Sequence, residues 1–331
     1  MVLEGCGGSF PCVRSLGKIF LYLVVVLLGG ALVAPLAWHL IQGIPSGWFG
    51  GFVGDIQRMP FHRYVSRSLQ VAALVFLWPL LRSLRIRSLE EFGLSRNSHP
   101  LRDLGAGMLC GLLCGLLLEP ALLLSGAFTM RYGYPHLILH LLPKLIVTAA
   151  AVAVIEEFLF RGVLLGFFRQ AMPSLPAIIF SSLVFAFVHF LNIPPSGMAG
   201  AAEAPSWWSG LHQLSTIGGA LPPWRILIWS LLTLFTAGVI LSWLTIRTGS
   251  LWASIGLHGL FIFSQQALNV VSGYTALPQD KFLPLLGPPQ CNGMVPVGLM
   301  PMVALLLTGC LAILLFRKCR QPLLHEKIFG N

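Results

Sequence analysis

Residues 154–162 read VIEEFLFRG and lie inside the apolar run KLIVTAAAVAVIEEFLFRGVLLGFF. A carboxylate at the bilayer centre costs roughly 2.5–3.5 kcal/mol even on the lenient insertion scale. Two adjacent ones therefore need a partner or a task. Glu157 and Arg161 are four apart with the acid first, the favourable order for a helical ion pair. Glu156 points about 100° away on an α-helix and faces something else. Two further apolar runs offer partners. FAFVHFLN carries Phe185 and His189 one helical turn apart, with Asn192 three residues on, and ASIGLHGLF carries His258. A glutamate in apolar surroundings can take a proton from water. A histidine can orient that water or polarise a carbonyl, and His258 or Asn192 can donate to a developing oxyanion. The same oxygen and nitrogen donors, Glu156, His189 and His258, could instead hold a zinc ion. Spacing leaves both chemistries open.

Each residue alone has a plainer reading. Glu157 and Arg161 can be a structural pair, and a lone intramembrane histidine is often a helix–helix hydrogen bond. The coincidence of five such groups in three apolar runs favours a site. His39, His62, His99, His136, His140, His212 and His325 sit at run ends, in loops or alone, and read as interfacial. His325-Glu326 is no zincin motif, because Phe329 stands where the second histidine should be. Glu119, next to Pro120, is a further intramembrane acid with no evident partner or role.

These groups must be positioned by membrane helices. The chain of 331 residues is 56% hydrophobic and 10% charged, against about 25% charge in a soluble domain. Mean hydropathy is +0.82. An all-α polytopic fold with about eight transmembrane helices follows, with apolar spans near 17–41, 66–82, 104–125, 137–168, 175–192, 225–246, 250–269 and 295–316. The fourth is too long for one straight crossing and must tilt or leave the hydrocarbon. The first reads as an uncleaved span, since a signal peptide has a shorter apolar core.

A net charge of +10 could suggest nucleic acid, but the basic residues sit between and at the ends of apolar runs, so no nucleic-acid partner is expected. Eight spans place Arg14, Lys18, Arg82, Arg85, Arg87, Arg96, Arg102, Arg161, Arg169, Arg247, Arg317, Lys318, Arg320 and Lys327 on one side. The excess of basic residues makes that side cytoplasmic, with both termini. The longest loop, about 193–224, is rich in Pro, Gly and Ala, which predicts irregular structure. The seven cysteines show no disulfide framework.

The combination EEFLFR, FAFVH and LHGLF resembles the CPBP family of intramembrane proteases, which includes the type II CAAX prenyl endopeptidases, bacteriocin-immunity proteins and lysostaphin-resistance-protein-A-like proteins. Its EExxxR, FxxxH and third, His-led motifs fall here on Glu156-Glu157 and Arg161, on Phe185 and His189, and on His258. LEEFGLSR resembles the linker that precedes the family core. The resemblance implies Glu156 as the base that activates water with His189 beside it, His258 at the oxyanion, and Glu157, Arg161, Phe185 and Asn192 in support. It favours a glutamate-dependent enzyme without a cofactor, zinc remaining the alternative. The third motif often has a polar residue four after the histidine, where this chain has Ile262.

The expected organisation is 1–135, N-terminal helices and a basic cytoplasmic linker; 136–270, the protease core; and 271–331, a loop, the last helix and a basic tail. The expected activity is an intramembrane endopeptidase of the cell inner membrane acting on a membrane-associated protein or peptide within the lipid bilayer. A catalytically silent immunity or scaffold protein of the same fold, or an ion-coupled transporter, are the competing expectations.

Overall fold

The structure is a computed structural model that describes residues 9–84, 97–131, 135–190, 204–217, 221–290 and 295–317. In hydrocarbon only a helix satisfies every backbone polar group within one segment, and each of the eight apolar runs is mainly helical. The long helices are α1 (Ser9–Gln42), α3 (Phe61–Ser83), α4 (Pro100–Leu124), α5 (Pro135–Glu157), α7 (Ser174–Val188), α9 (Trp224–Thr248), α10 (Trp252–Val271) and α11 (Leu299–Leu315). Short helices α2 (Phe52–Gln57), α6 (Leu165–Ala171) and α8 (Ser209–Ser215) join them. Among the described residues, Gly17–Gln42, Phe61–Ser83, Pro100–Leu124, Leu139–Gln170 and Trp224–Thr248 are long and apolar enough to cross a membrane. The protein is thus an all-α polytopic membrane protein. The other three expected spans differ in kind. α7 and α11 are apolar but have only 15 and 17 residues. α10 has 20 residues but carries Ser264, Gln265, Gln266 and Asn269 in its second half.

Packing divides the chain into two compact units. In the first, α1 and α3 pair closely. A Cβ on Gly30 would lie 2.8 Å from the Leu69 Cα, so glycine permits the crossing. Tyr22 donates to the Ala73 carbonyl at 2.8 Å. The described part of the loop expected to be irregular contains α8, seated on α1 where Gly210 meets the Ala31 carbonyl. Absence of a side chain at 210 makes that approach possible, which composition alone concealed.

The second unit contains α4–α7 and α9–α11, so α4 and α11 pack with the helices that carry the chemical motifs. Its centre is α10, which packs against α4, α5 and α9. A Cβ on Gly107 would collide with the Ala253 carbonyl, and one on Gly256 with that of Leu104. Small residues of this kind let membrane helices approach and pack without a hydrophobic driving force. One end of the unit is tied by Asn97 donating to Ser250 Oγ at 2.9 Å and by Arg247 donating to the carbonyls of Phe316 and Arg317 at 3.2 and 2.6 Å. The other end carries four short strands: β1 (Phe128–Met130) pairs antiparallel with β2 (Ser272–Tyr274), and β3 (Gly287–Gln290) with β4 (Val295–Val297). An Arg225–Asp280 pair at 2.7 Å ties the start of α9 to that layer.

The over-long fourth run is one helix bent back on its successor. α5 continues through a π-helical segment, Phe158–Leu164, into α6. Met172 is extended and Pro173 precedes α7. Glu156 and His189 stand equally far in sequence from this turn, so the returning helix brings them level.

Candidate active site

Glu156 and Glu157 end α5, immediately before the π-helical segment. Such segments re-aim side chains within a helix and recur at functional sites. The two carboxylates have opposite environments. The Glu157 side chain is fully buried, whereas that of Glu156 is 26% exposed. Glu157 Oε1 accepts from Arg161 Nη1 at 2.9 Å and from His258 Nδ1 at 2.8 Å. The second contact was not anticipated, because the sequence pairs Glu157 only with Arg161. Ser254, one turn before His258 on α10, lies beside the same carboxylate and accepts from Thr245 Oγ1 at 3.0 Å. This i, i+4 pair of polar residues was the readable sign that α10 turns one face toward Glu157.

Phe185 packs the remaining groups into register. The Arg161 guanidinium lies 4.1 Å from its ring centre, a cation–π contact. That face covers a cation whose Nε and Nη2 have no hydrogen-bond partner. The rings of His189 and His258 stand edge-on to Phe185 at 4.4 and 6.1 Å. Arg161 is therefore an internal counter-ion rather than a loop charge reporting orientation.

Hydrogen bonding sets the histidine tautomers. A carbonyl only accepts, so His189 Nδ1–H donates to the Phe185 oxygen at 2.7 Å. His258 Nδ1–H donates to Glu157. Both rings thereby turn Nε2 toward Glu156. The Nε2 atoms of His189 and His258 lie 3.7 and 3.8 Å from Glu156 Oε2. That oxygen has no hydrogen-bond partner. These gaps exceed a direct hydrogen bond.

Residues 138–264 match the family model described as type II CAAX prenyl endopeptidase Rce1-like. The motif resemblance holds at family level. The matched segment runs from α5 to the middle of α10 and contains Glu156, Glu157, Arg161, Phe185, His189 and His258. No curated protein and no solved structure matches the chain. The long apolar helices, together with this match to a membrane protease family, make this an integral membrane protein.

Asn192, the further expected oxyanion donor, lies outside the described residues. Ile262 is half-buried on α10. Glu119 is not brought into the cluster; it faces Ser264 between α4 and α10. Among the described residues no group of three or more His, Cys, Asp or Glu side chains is arranged to hold a metal ion. The Glu156–histidine separations also exceed the roughly 3.3 Å between neighbouring donors around a tetrahedral zinc. No step below is routed through a metal.

Proposed function

We propose that this protein is an intramembrane endopeptidase that hydrolyses a peptide bond in a membrane-associated protein or peptide, with water activated by Glu156. The observation that carries the reading is the convergence of two histidine Nε2 atoms on the one partly exposed carboxylate, Glu156, at 3.7 and 3.8 Å. The match of this segment to the Rce1-like family supports it.

In the proposed reaction a water between Glu156 and the two rings gives one proton to Glu156 as its oxygen attacks the carbonyl carbon. His189, held by the Phe185 carbonyl, orients that water. Charge develops on the carbonyl oxygen, and His258 in its protonated form donates to it from Nε2. Glu157 fixes that ring through Nδ1. The tetrahedral adduct then collapses. The C–N bond breaks, and the proton held by Glu156 passes to the departing amine. One water is consumed, and a carboxyl and an amine are formed. Glu157 and Arg161 touch no substrate in this scheme; they position His258 and neutralise each other.

The test is proteolysis in reconstituted membranes on a library of membrane-tethered peptides, wild type against Glu156→Ala, with and without chelator. Cleavage lost in the variant and unchanged by chelator supports the glutamate mechanism. Loss with chelator returns the site to a metal. A folded wild type that cuts nothing favours a silent binding protein, with Ile262→Asn as the variant to try for restored cleavage. Proton-coupled uptake into vesicles would point instead to a transporter. The site of action is the cell inner membrane, with the Asn97, Arg247 and Arg317 end toward the cytoplasm.

A further inference from the structure

A further concavity of the larger unit lies at the far end of α10 from the proposed catalytic groups. Eleven residues separate His258 from Asn269, about 16 Å along a helix axis. There a pocket of about 410 Å³ is lined by Arg131, Asn269, Tyr274 and Gln279, with Pro288 and Pro289 on one wall. None of these six residues falls within the matched segment 138–264.

The pocket is built on paired strands rather than on a free loop. Arg131 N donates to the Val271 carbonyl at 2.7 Å, continuing the β1–β2 ladder. The Arg131 guanidinium lies across Gly273, where a Cβ would stand 3.1 Å from Nη2. Tyr274 is held by an edge-on contact to Phe128 at 5.3 Å, and its hydroxyl donates to the Gln279 carbonyl at 2.7 Å. Burial and the charge of Asp280 push the Tyr274 phenol up from its ordinary value, so it stays a neutral donor. The nearby acid is already used, since Asp280 pairs with Arg225 at 2.7 Å. Among the described residues no carboxylate pairs with Arg131. The pocket thus sets the Arg131 guanidinium, paired with no carboxylate among the described residues, beside Asn269 and Gln279.

Its depth is also set. The apolar stretch of α4 ends at Leu124, and Arg131 follows seven residues later. Trp224, 70% exposed, opens the apolar stretch of α9 at the same end. Tryptophan favours the headgroup level of a bilayer. A planar guanidinium fork matches the oxygens of phosphate.

We infer that this pocket binds a phosphate group, supplied in the membrane by the headgroup of an anionic phospholipid. The inference concerns binding and is independent of proteolysis.

The experiment uses the full chain in a phosphate-free, uncharged detergent. Thermal unfolding is followed while dioleoylphosphatidylglycerol, dioleoylphosphatidylcholine or inorganic phosphate is titrated in. Phosphatidylglycerol should raise Tm saturably. Arg131→Gln should weaken that response at least about tenfold, the loss expected for one charge-assisted hydrogen bond. Gly273→Ala keeps the charge but displaces the guanidinium, and should weaken it too. Lys281→Gln, a nearby cation outside the lining, should not. An Arg131-dependent response to phosphate as strong as that to phosphatidylglycerol supports the site with a free anion as its ligand. An equal response to phosphatidylcholine, whose headgroup carries no net charge, overturns the assignment to an anionic phospholipid. Identical responses in wild type and Arg131→Gln, or no saturable response to any of the three, overturn the proposal.

Discussion

Glu157 and Arg161 are a salt bridge with no exposed surface on either side chain. Removing one partner of such a pair leaves an uncompensated buried charge, typically a loss of about 3–5 kcal/mol. Arg161→Leu should therefore lower Tm sharply in detergent. The double variant Glu157→Leu with Arg161→Leu should recover much of that stability, since apolar replacement of a buried pair is often neutral. It should not recover proteolysis, because His258 loses the acceptor that turns its ring. Equal recovery of stability and cleavage would remove Glu157 from the positioning role. At this scale the sequence was partly legible. The Glu157–Arg161 pair could be read from spacing and order, because an i, i+4 contact is local. The His258–Glu157 bond spans 101 residues, and no local rule connects them. Its faint sign was Ser254 one turn before His258. Asn192 could be singled out by type, but the described residues do not extend to it.

The α5–α7 hairpin acts at the scale of the element. His189 reaches Glu156 because equal lengths of helix lead to and from the turn at Met172–Pro173. Inserting two alanines after Ala177 in α7 would move His189 about 3 Å along the axis and turn it about 200°. Cleavage should fall to background while circular dichroism stays helical; an active insertion variant would refute the register argument. The α4–α10 crossing supports the site from the other side. Gly107→Val would force α10 away through Ala253, so Tm and cleavage should fall together. Gly105→Val, with open space at its Cβ position, should leave both near wild type. The hairpin was legible in outline, since a run of more than 30 apolar residues followed by Met172–Pro173 must turn back. The π-helical segment was not, because 3.6-residue periodicity carries no mark of a local change in pitch. The strands were missed too. They have three or four residues each, too short for a period of two to show.

Apolar composition set the class of the whole molecule, and the packing adds its polarity. Asn97–Ser250 and Arg247–Arg317 tie the start of α4, the α9–α10 turn and the end of α11 at one end of the larger unit. The strand layer occupies the other. The proposed orientation, drawn from the distribution of basic residues, puts the first end in the cytoplasm. In a background without native cysteines, single cysteines at Asn97 and Arg317 should react with an impermeant thiol reagent in inverted vesicles. One at Gln279 should react in right-side-out vesicles. The opposite pattern would invert the orientation, and labelling of 97 and 317 from different sides would break the shared end. Eight helical segments were legible as apolar runs. The division into two units was not, because Gly30, Gly210 and Gly107 define their partners only when two helices meet.

The most direct test of the account is single-turnover cleavage of a membrane-tethered peptide in proteoliposomes, comparing wild type with Glu156→Gln. Glutamine keeps the size and polarity of the side chain but cannot take a proton from water. A fall of at least about 10²-fold, the usual weight of general base catalysis, with Tm unchanged, is the predicted result. Cleavage by Glu156→Gln at the wild-type rate would contradict the central claim.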